Sequence, residues 1–230
     1  MERDLNRRRM LGTVGAAVAA GTALKAAAAP ADTPAGKKTK IIGICCSPRK
    51  GRTTAASLKV CLAAAELPGV QTELIELAGL AIPGQLAAGV PLAAGEKDDF
   101  PTLMPKLLDP SVGGIIIGTP VYFGCMSALC KAFLDRCVIF RKKQFALGGK
   151  VGGVVAVGGC RNGGQELTIR AVQTCMFGQQ MIVVGDGKPT AHWGATVWSG
   201  GTKDVTKDEF GMTTAKNLGR HVAQTALRLA

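Results

Sequence analysis

The sequence predicts a doubly wound α/β domain, a parallel sheet covered by helices on both faces. Three observations predict it. Short apolar runs rich in β-branched residues alternate with helix-forming segments from Thr39 onward. Five such strand-and-helix units fit between residues 39 and 230. The composition, 47% hydrophobic in 230 residues, suits one domain with a sizeable core and argues against disorder. A five-stranded sheet of this kind takes the order 2-1-3-4-5 and binds ligands at the carboxyl ends of its strands.

The elements follow in order. "TKIIGICC" is a continuous apolar run, as in a strand buried on both faces. "TTAASLKVCLAAAEL" is a helix with Thr53 or Thr54 as its N-cap. "VQTELIEL" alternates apolar and polar, as a strand nearer an edge does. An Ala-rich loop with Pro83 and Gly84 precedes "KDDFPTLMPKLL", a helix that Asp98 or Asp99 caps and two prolines weaken. "VGGIIIGT" is a buried strand, "SALCKAFLDRCVIF" one helix, and "KVGGVVAV" the fourth strand. "GGQELTIRAVQTCMFGQQ" is a helix and "MIVVG" a short fifth strand. A loop rich in Gly, Trp and Thr leads to a last helix from about Asp208 to Leu229, with Leu218, Val222 and Leu227 at helical spacing.

The segment before this domain reads differently. Arg7, Arg8 and Arg9 precede a weakly apolar run and an Ala-rich stretch, the layout of an export signal. The twin arginines point to a twin-arginine route and an expected periplasmic or exported location. Residues 1–29 are the expected signal peptide, 30–38 a linker and 39–230 the folded domain. The run is too short and too rich in Gly and Ala to span a bilayer well. Removing its five basic and two acidic residues leaves 23 basic and 14 acidic, a net charge of +9 against +12 for the whole chain. A positive balance suits anionic ligands. Outside the first loop and Arg141–Lys143 the cations are dispersed, which argues against nucleic acid as a partner.

Eight cysteines in an exported chain invite a disulfide reading. The spacing shows no CxxC pair, and there are only two histidines. Cys130 and Cys137 share a predicted helical face but sit roughly 10 Å of rise apart, too far to bridge. The cysteines read as small buried residues.

Three loops leave the carboxyl ends of the first, third and fourth strands. The first, Ser47-Pro48-Arg49-Lys50-Gly51-Arg52-Thr53-Thr54, places hydroxyls and cations just before a helix. Free amides in the opening turn, hydroxyl donors and guanidinium groups together suit a phosphate. It lacks GxxxxGK[ST] and GxGxxG, so a monophosphate fits better than a diphosphate. The second, "GTPVYFGCMS", holds Tyr122, the only tyrosine, and Phe123 in a chain with 4% aromatics. Backbone near Gly124 can approach a flat ring closely, and the aromatics can flank it; Phe123 reads more readily as a core-filling residue. The third, "GGCRNGGQE", is dense in glycine and offers amides, Arg161 and Asn162 to a heterocycle edge. A ligand with a phosphate at one end and a planar polar ring at the other matches all three, and FMN is such a ligand.

From Lys40 onward the chain resembles the flavodoxin-like NAD(P)H-dependent FMN reductases, in the branch related to iron–sulfur flavoproteins. The resemblance rests on "GICCSPRKGRTT", "GTPVYFGCMSALCKAFLDR", "GGQE" and "HWGATVW". It implies that Ser47, Arg49, Thr53 and Thr54 hold the FMN phosphate. It implies further that Pro120, Val121, Tyr122 and Phe123 line the flavin, with Gly158, Gly159 and Arg161 along the ring edge. Arg52 stands where Asn is common, and either adds phosphate affinity or faces water. The branch's compact four-cysteine run between the second strand and second helix is missing here, so no iron–sulfur cluster is expected.

The resulting expectation is an FMN-dependent oxidoreductase with NAD(P)H as a possible donor. Its partners are small molecules or redox proteins, and it forms a homo-oligomer. The alternative is a non-enzymatic flavodoxin-like electron carrier; such carriers are acidic, and this chain is basic. No catalytic acid or base is assigned. His192 reads as a packed or hydrogen-bonded loop residue, and Trp193 and Trp198 as residues that close the pocket.

Overall fold

The computed structural model describes residues 38–230. The expected signal peptide and all of the linker except Lys38 lie outside the described residues. Six strands run parallel. They are β1 (Thr39–Cys45), β2 (Val70–Glu76), β3 (Val112–Tyr122), β5 (Val151–Gly158), β6 (Ile182–Val183) and β7 (Ala195–Trp198). The two-residue β4 (Cys125–Met126) turns back antiparallel on β3. The order β2-β1-β3-β5-β6, with β7 also on β5, is the expected 2-1-3-4-5.

Residue parity explains the two layers. Successive side chains of a strand point to opposite faces. Ile42 and Ile44 of β1, Ile115 and Ile117 of β3, and Val154 and Ala156 of β5 enter one core. There they meet Phe100, Phe133, Phe140, Ile169 and Met176. Ile41, Ile116, Val155 and Val157 enter the other core, with Leu58, Leu62, Leu218 and Val222. The second core is covered by α1 (Thr53–Ala65) and α6 (Glu209–Leu229). The first is covered by the short α2 (Met104–Leu108), α3 (Ala128–Arg136), α4 (Val138–Lys142) and α5 (Gln165–Phe177). Strands buried on both sides have no polar face, which is why they read as unbroken apolar runs.

Several local expectations change. Neither Thr53 nor Thr54 caps α1: the cap position is Arg52 and no side chain bonds there. The "KDDFPTLMPKLL" helix is a 3₁₀ turn (Phe100–Leu103) running into α2, because two prolines remove amide donors. Asp99 holds the cap position without capping; its carboxylate accepts the Ala81 amide at 2.8 Å instead. The single "SALCKAFLDRCVIF" helix breaks at Cys137, whose amide is shared between the Phe133 and Leu134 carbonyls at 3.1 and 3.2 Å. Asp208 caps α6 by accepting the Gly211 amide at 3.0 Å.

The fifth strand position is split. β6 pairs with Val151 and Gly152, while β7 pairs with Val155 to Gly158 further along the same strand. Residues 184–194 leave the sheet between them. Asp186, fully buried, holds this excursion by accepting from the Thr190 hydroxyl at 2.5 Å and from the His192 amide. β7 falls within the stretch expected to be loop. Four residues flanked by Gly194 and Ser199 carry too little periodicity to be seen before the β5 pairing is known.

Candidate functional site

β1, β3 and β5 are parallel neighbours, so the loops that follow them leave the sheet at one edge. Hydrogen bonds tie the loops together there. The Cys46 amide donates to the Gly118 carbonyl at 2.8 Å. The buried Ser127 hydroxyl donates to the Cys46 carbonyl at 2.7 Å and accepts the Cys130 amide at 3.1 Å, capping α3. The Ser127 amide in turn donates to Thr119 Oγ1 at 3.1 Å. One serine therefore fixes the first loop, the β3 end and a helix terminus.

The first loop turns on Ser47, whose buried hydroxyl accepts the Arg49 amide at 3.2 Å. Gly51 sits at φ +65°, a conformation that favours glycine. Its amide donates to Glu76 Oε2 at 2.7 Å, so the end of β2 holds the turn in place. Arg49, Lys50 and Arg52 are exposed, whereas Thr53 and Thr54 are buried at the start of α1. The Thr54 hydroxyl is buried with no hydrogen-bond partner. The first turn of α1, with no side-chain cap, also leaves its amides unsatisfied by the helix. An orphan hydroxyl and free amides beside three cations are what an anionic group would satisfy, so this loop fits the phosphate of FMN.

The second loop is a tight hairpin. Val121 pairs with Met126 and Tyr122 with Cys125, leaving Phe123 (φ +50°) and Gly124 (φ +72°) as the two central residues. Positive φ at both suits the twist of flanking strands. Pro120 is buried in the sheet and Val121 half-buried, while Tyr122 is exposed. Phe123 is fully exposed, at 109%. This corrects the core-filling reading of Phe123: the hairpin tip projects its ring away from both cores.

The third loop meets the second at Gly164. That residue has φ +98°, and a Cβ built on it would lie 2.7 Å from the Gly124 Cα. Gly158 is buried and Gly159 exposed. Their carbonyls accept the Ser199 amide at 2.9 Å and the Gly201 amide at 3.2 Å. Gln165 braces the loop from inside. It donates to the Cys160 carbonyl at 2.6 Å and accepts the Gly163 amide at 2.8 Å. The exposed Arg161 donates to Asp208 Oδ1 at 2.6 Å and lies over the Trp198 ring at 5.4 Å. Asp208 is almost wholly buried and also accepts the Trp198 amide at 2.8 Å.

Cys45 and Cys46 at the end of β1 are buried, whereas Cys125 on the second loop and Cys160 on the third are exposed. All eight are free. Burial pushes the Cys45 thiol up to about 11 and the Cys46 thiol well above its ordinary value, with the Cys130 thiol beside it adding to the rise. A neutral thiol is a poor nucleophile and metal ligand. Among the described residues no group of three or more His, Cys, Asp or Glu could hold a metal ion.

Residues 39–195 match the sequence profile of the NADPH-dependent FMN reductases. The chain belongs to that family. Family membership makes it an FMN-dependent oxidoreductase. Among its relatives, an iron–sulfur flavoprotein of Methanocaldococcus jannaschii is 40% identical over 188 residues, 80% of this chain and 96% of the relative. Another, of Methanosarcina thermophila, is 36% identical over 78% of this chain and 93% of its own. An NAD(P)H dehydrogenase (quinone) of Chromohalobacter salexigens is 32% identical over 70% of this chain and 85% of its own. In structure, the chain resembles a flavodoxin-type WrbA-like protein of Agrobacterium tumefaciens. The TM-score is 0.62 at 18% identity, over 84% of this chain and 100% of the other. The fold is thus flavodoxin-like.

Every loop expected to form the site in this FMN reductase relative leaves the same sheet edge. Four contributors escaped the sequence reading: Glu76, Ser127, Gln165 and Asp208 in its role as partner of Arg161. Ser127, a serine just before an apolar periodic run, carried a cap signal. Glu76 carried none, since its partner lies 25 residues earlier in the chain.

Proposed function

We propose that the three loops bind FMN as the resident cofactor of a reductase that passes electrons from a nicotinamide or redox-protein donor to a small-molecule acceptor. The observation that carries this reading is the orphan Thr54 hydroxyl at an uncapped helix start, among exposed cations. In this reading Ser47, Arg49, Arg52, Thr53 and Thr54 hold the phosphate. Val121, Tyr122 and Phe123, with backbone at Pro120 and Gly124, flank the ring. Gly158, Gly159 and Arg161 face its polar edge. When bound, the flavin supplies hydride and single-electron chemistry, so the protein needs no acid–base triad. The residues position and shield it: Ser127 and Gln165 hold two of the loops, and Glu76 holds the phosphate turn.

The cofactor set is flavin without a cluster. This is supported by covalent structure: no cysteine occurs between Cys61 and Cys125, so the loop after β2 has no thiolate to offer. An ion pair organises the end of that loop instead. Arg136 donates to both Asp98 oxygens at 2.8 Å and stacks on Phe100 at 4.7 Å. The Arg136 hydrogen bonds hold the Asp98 carboxyl below its ordinary range.

Residues 1–29 are proposed to direct export by the twin-arginine route, which carries proteins already folded around a cofactor. An exported reductase meets little free NAD(P)H, so a redox protein is the favoured donor there. No helix among the described residues is long and apolar enough to cross a membrane. The exposed Phe123 favours a homo-oligomer in solution.

The decisive experiment is the absorption spectrum of the purified full chain, followed by FMN titration and assays with NADH, NADPH and quinones. A flavin spectrum with no broad iron–sulfur shoulder is expected. Colourless protein that takes up no FMN at micromolar concentration overturns the reading.

A further inference from the structure

Asp208 gathers three segments behind the third loop. It precedes α6 and is 2% exposed. Its Oδ1 accepts the Gly211 amide at 3.0 Å and Arg161 Nη2 at 2.6 Å. Its Oδ2 accepts the Trp198 amide at 2.8 Å. A β-carbon at Gly211 would collide with this carboxylate, so the start of the helix is shaped around it. Capping α6 needs one acceptor, and a serine or asparagine supplies that without charge. A buried charge costs free energy unless a counter-charge meets it. Asp208 therefore carries a charge that its cap does not require, and Arg161 is what that charge meets.

Arg161 has a second carboxylate in its neighbourhood. It lines a cavity of about 390 Å³ between the third loop, β7 and the start of α6, and the exposed Glu166 lines that cavity too. Two features select Asp208. Its carboxylate is fixed by two backbone amides, whereas Glu166 stands in solvent. The guanidinium lies over the Trp198 ring at 5.4 Å, and the Trp198 amide is itself bonded to Asp208. Stacking and ion pairing thus agree on one position for a side chain that is half exposed.

The pairing sets what the third loop contributes electrostatically. A flavin ring gains negative charge on reduction, and a free guanidinium near it favours the reduced form. A free carboxylate does the reverse. Locked together, the two charges nearly cancel at a distance. The first loop is built otherwise, with three exposed cations set against the single carboxylate of Glu76.

We propose that Asp208 is a positioning residue: it pins Arg161 against Trp198 and cancels its charge, so that the third loop adds no net charge to the flavin site and leaves the reduction potential of the bound flavin unbiased. The hub itself stands on the hydrogen bonds above. Its effect on the cofactor rests on the flavin reading.

The test is the two-electron reduction potential of FMN bound to the full chain, read by equilibration with a reference dye. FMN uptake is read from visible absorbance in the same sample. Asp208→Asn leaves Arg161 unneutralised, and the affinity ratio of reduced to oxidised FMN should rise about threefold to tenfold, tenfold being about 30 mV. Arg161→Gln leaves the carboxylate alone, and the ratio should fall by a similar factor. The double variant removes both charges and should return to within about twofold of wild type. A purely structural role for Asp208 produces neither the opposite signs nor the return. Should Asp208→Asn not fold, Asp208→Ser removes the same charge and caps α6 through its hydroxyl. With flavin bound, single variants that shift the same way or not at all, or a double variant that stays shifted, overturn the proposal while the flavin reading stands. Wild type that takes up no FMN overturns that reading and the proposal with it.

Discussion

The first and third loops leave neighbouring regions of one sheet edge and both run into helices that lack a side-chain cap, at Arg52 and at Gly164. They differ in where their polar groups go. In the first loop the Thr54 hydroxyl has no partner and three cations face outward, with Glu76 and Ser47 holding the turn. In the third, Gln165 satisfies the loop's own backbone and Arg161 is committed to Asp208. One loop is left open to take an anion. The other is internally satisfied, and offers shape and backbone rather than charge. Affinity and geometry are thus assigned to separate segments, and substitutions should separate them as well.

The contrast breaks most sharply at the joint between hairpin and third loop. Gly164→Ala forces a β-carbon against the Gly124 backbone at a positive φ, costing on the order of 2–4 kcal/mol. Thermal unfolding should show a lower midpoint and FMN titration a weakened ring site, because the hairpin must move. An unchanged midpoint would mean that the two loops do not meet.

Next in size, Arg49→Ala with Thr54→Val removes a cation and the orphan hydroxyl. FMN affinity should fall roughly 100-fold with unfolding little changed, since Arg49 is exposed and Val keeps the shape of the buried Thr54, whose hydroxyl bonds nothing in the fold. Riboflavin, which has no phosphate, should bind equally to wild type and variant. A matching loss for riboflavin would contradict the division of roles.

Gln165→Leu tests the opposite case. It strands the Cys160 carbonyl and the Gly163 amide, at a cost of about 1–3 kcal/mol in urea unfolding. Phosphate-dependent affinity, measured as the ratio of FMN to riboflavin dissociation constants, should not change.

The smallest effect is expected at Glu76→Gln. The amide oxygen still accepts from Gly51 while a negative charge beside the phosphate turn disappears. FMN should bind slightly tighter, by about twofold to fivefold, with the gain fading at high salt. Weaker binding would show that the carboxylate charge itself is needed.

The sheet was legible from the chain because burial on both faces leaves a local mark. Runs such as "IIGICC" and "GGIIIG" must be apolar at every position, whichever helix finally covers them. The open loop was legible for a related reason: hydroxyls and cations grouped before a helix stand out when nothing nearby neutralises them. Phe123 was misread because exposure depends on a two-residue hairpin turn, not on the hydrophobicity of the ring. The four-residue β7 was missed since it exists only through its pairing with β5, and the break at Cys137 since a shared bond to the Phe133 and Leu134 carbonyls leaves no mark in residue type.

By itself, then, the sequence determined the strand and helix alternation, the two buried faces and the anion-seeking character of the first loop. All are properties of residue type and spacing along a few turns of chain. Tertiary structure alone decided that Glu76 grips Gly51, that Gly124 lies against Gly164, that Asp208 claims Arg161, and that the fifth strand splits to leave a cavity behind the third loop. Those contacts join residues 25 to 47 positions apart, and a neighbour that far along the chain exists only once the sheet has brought it near.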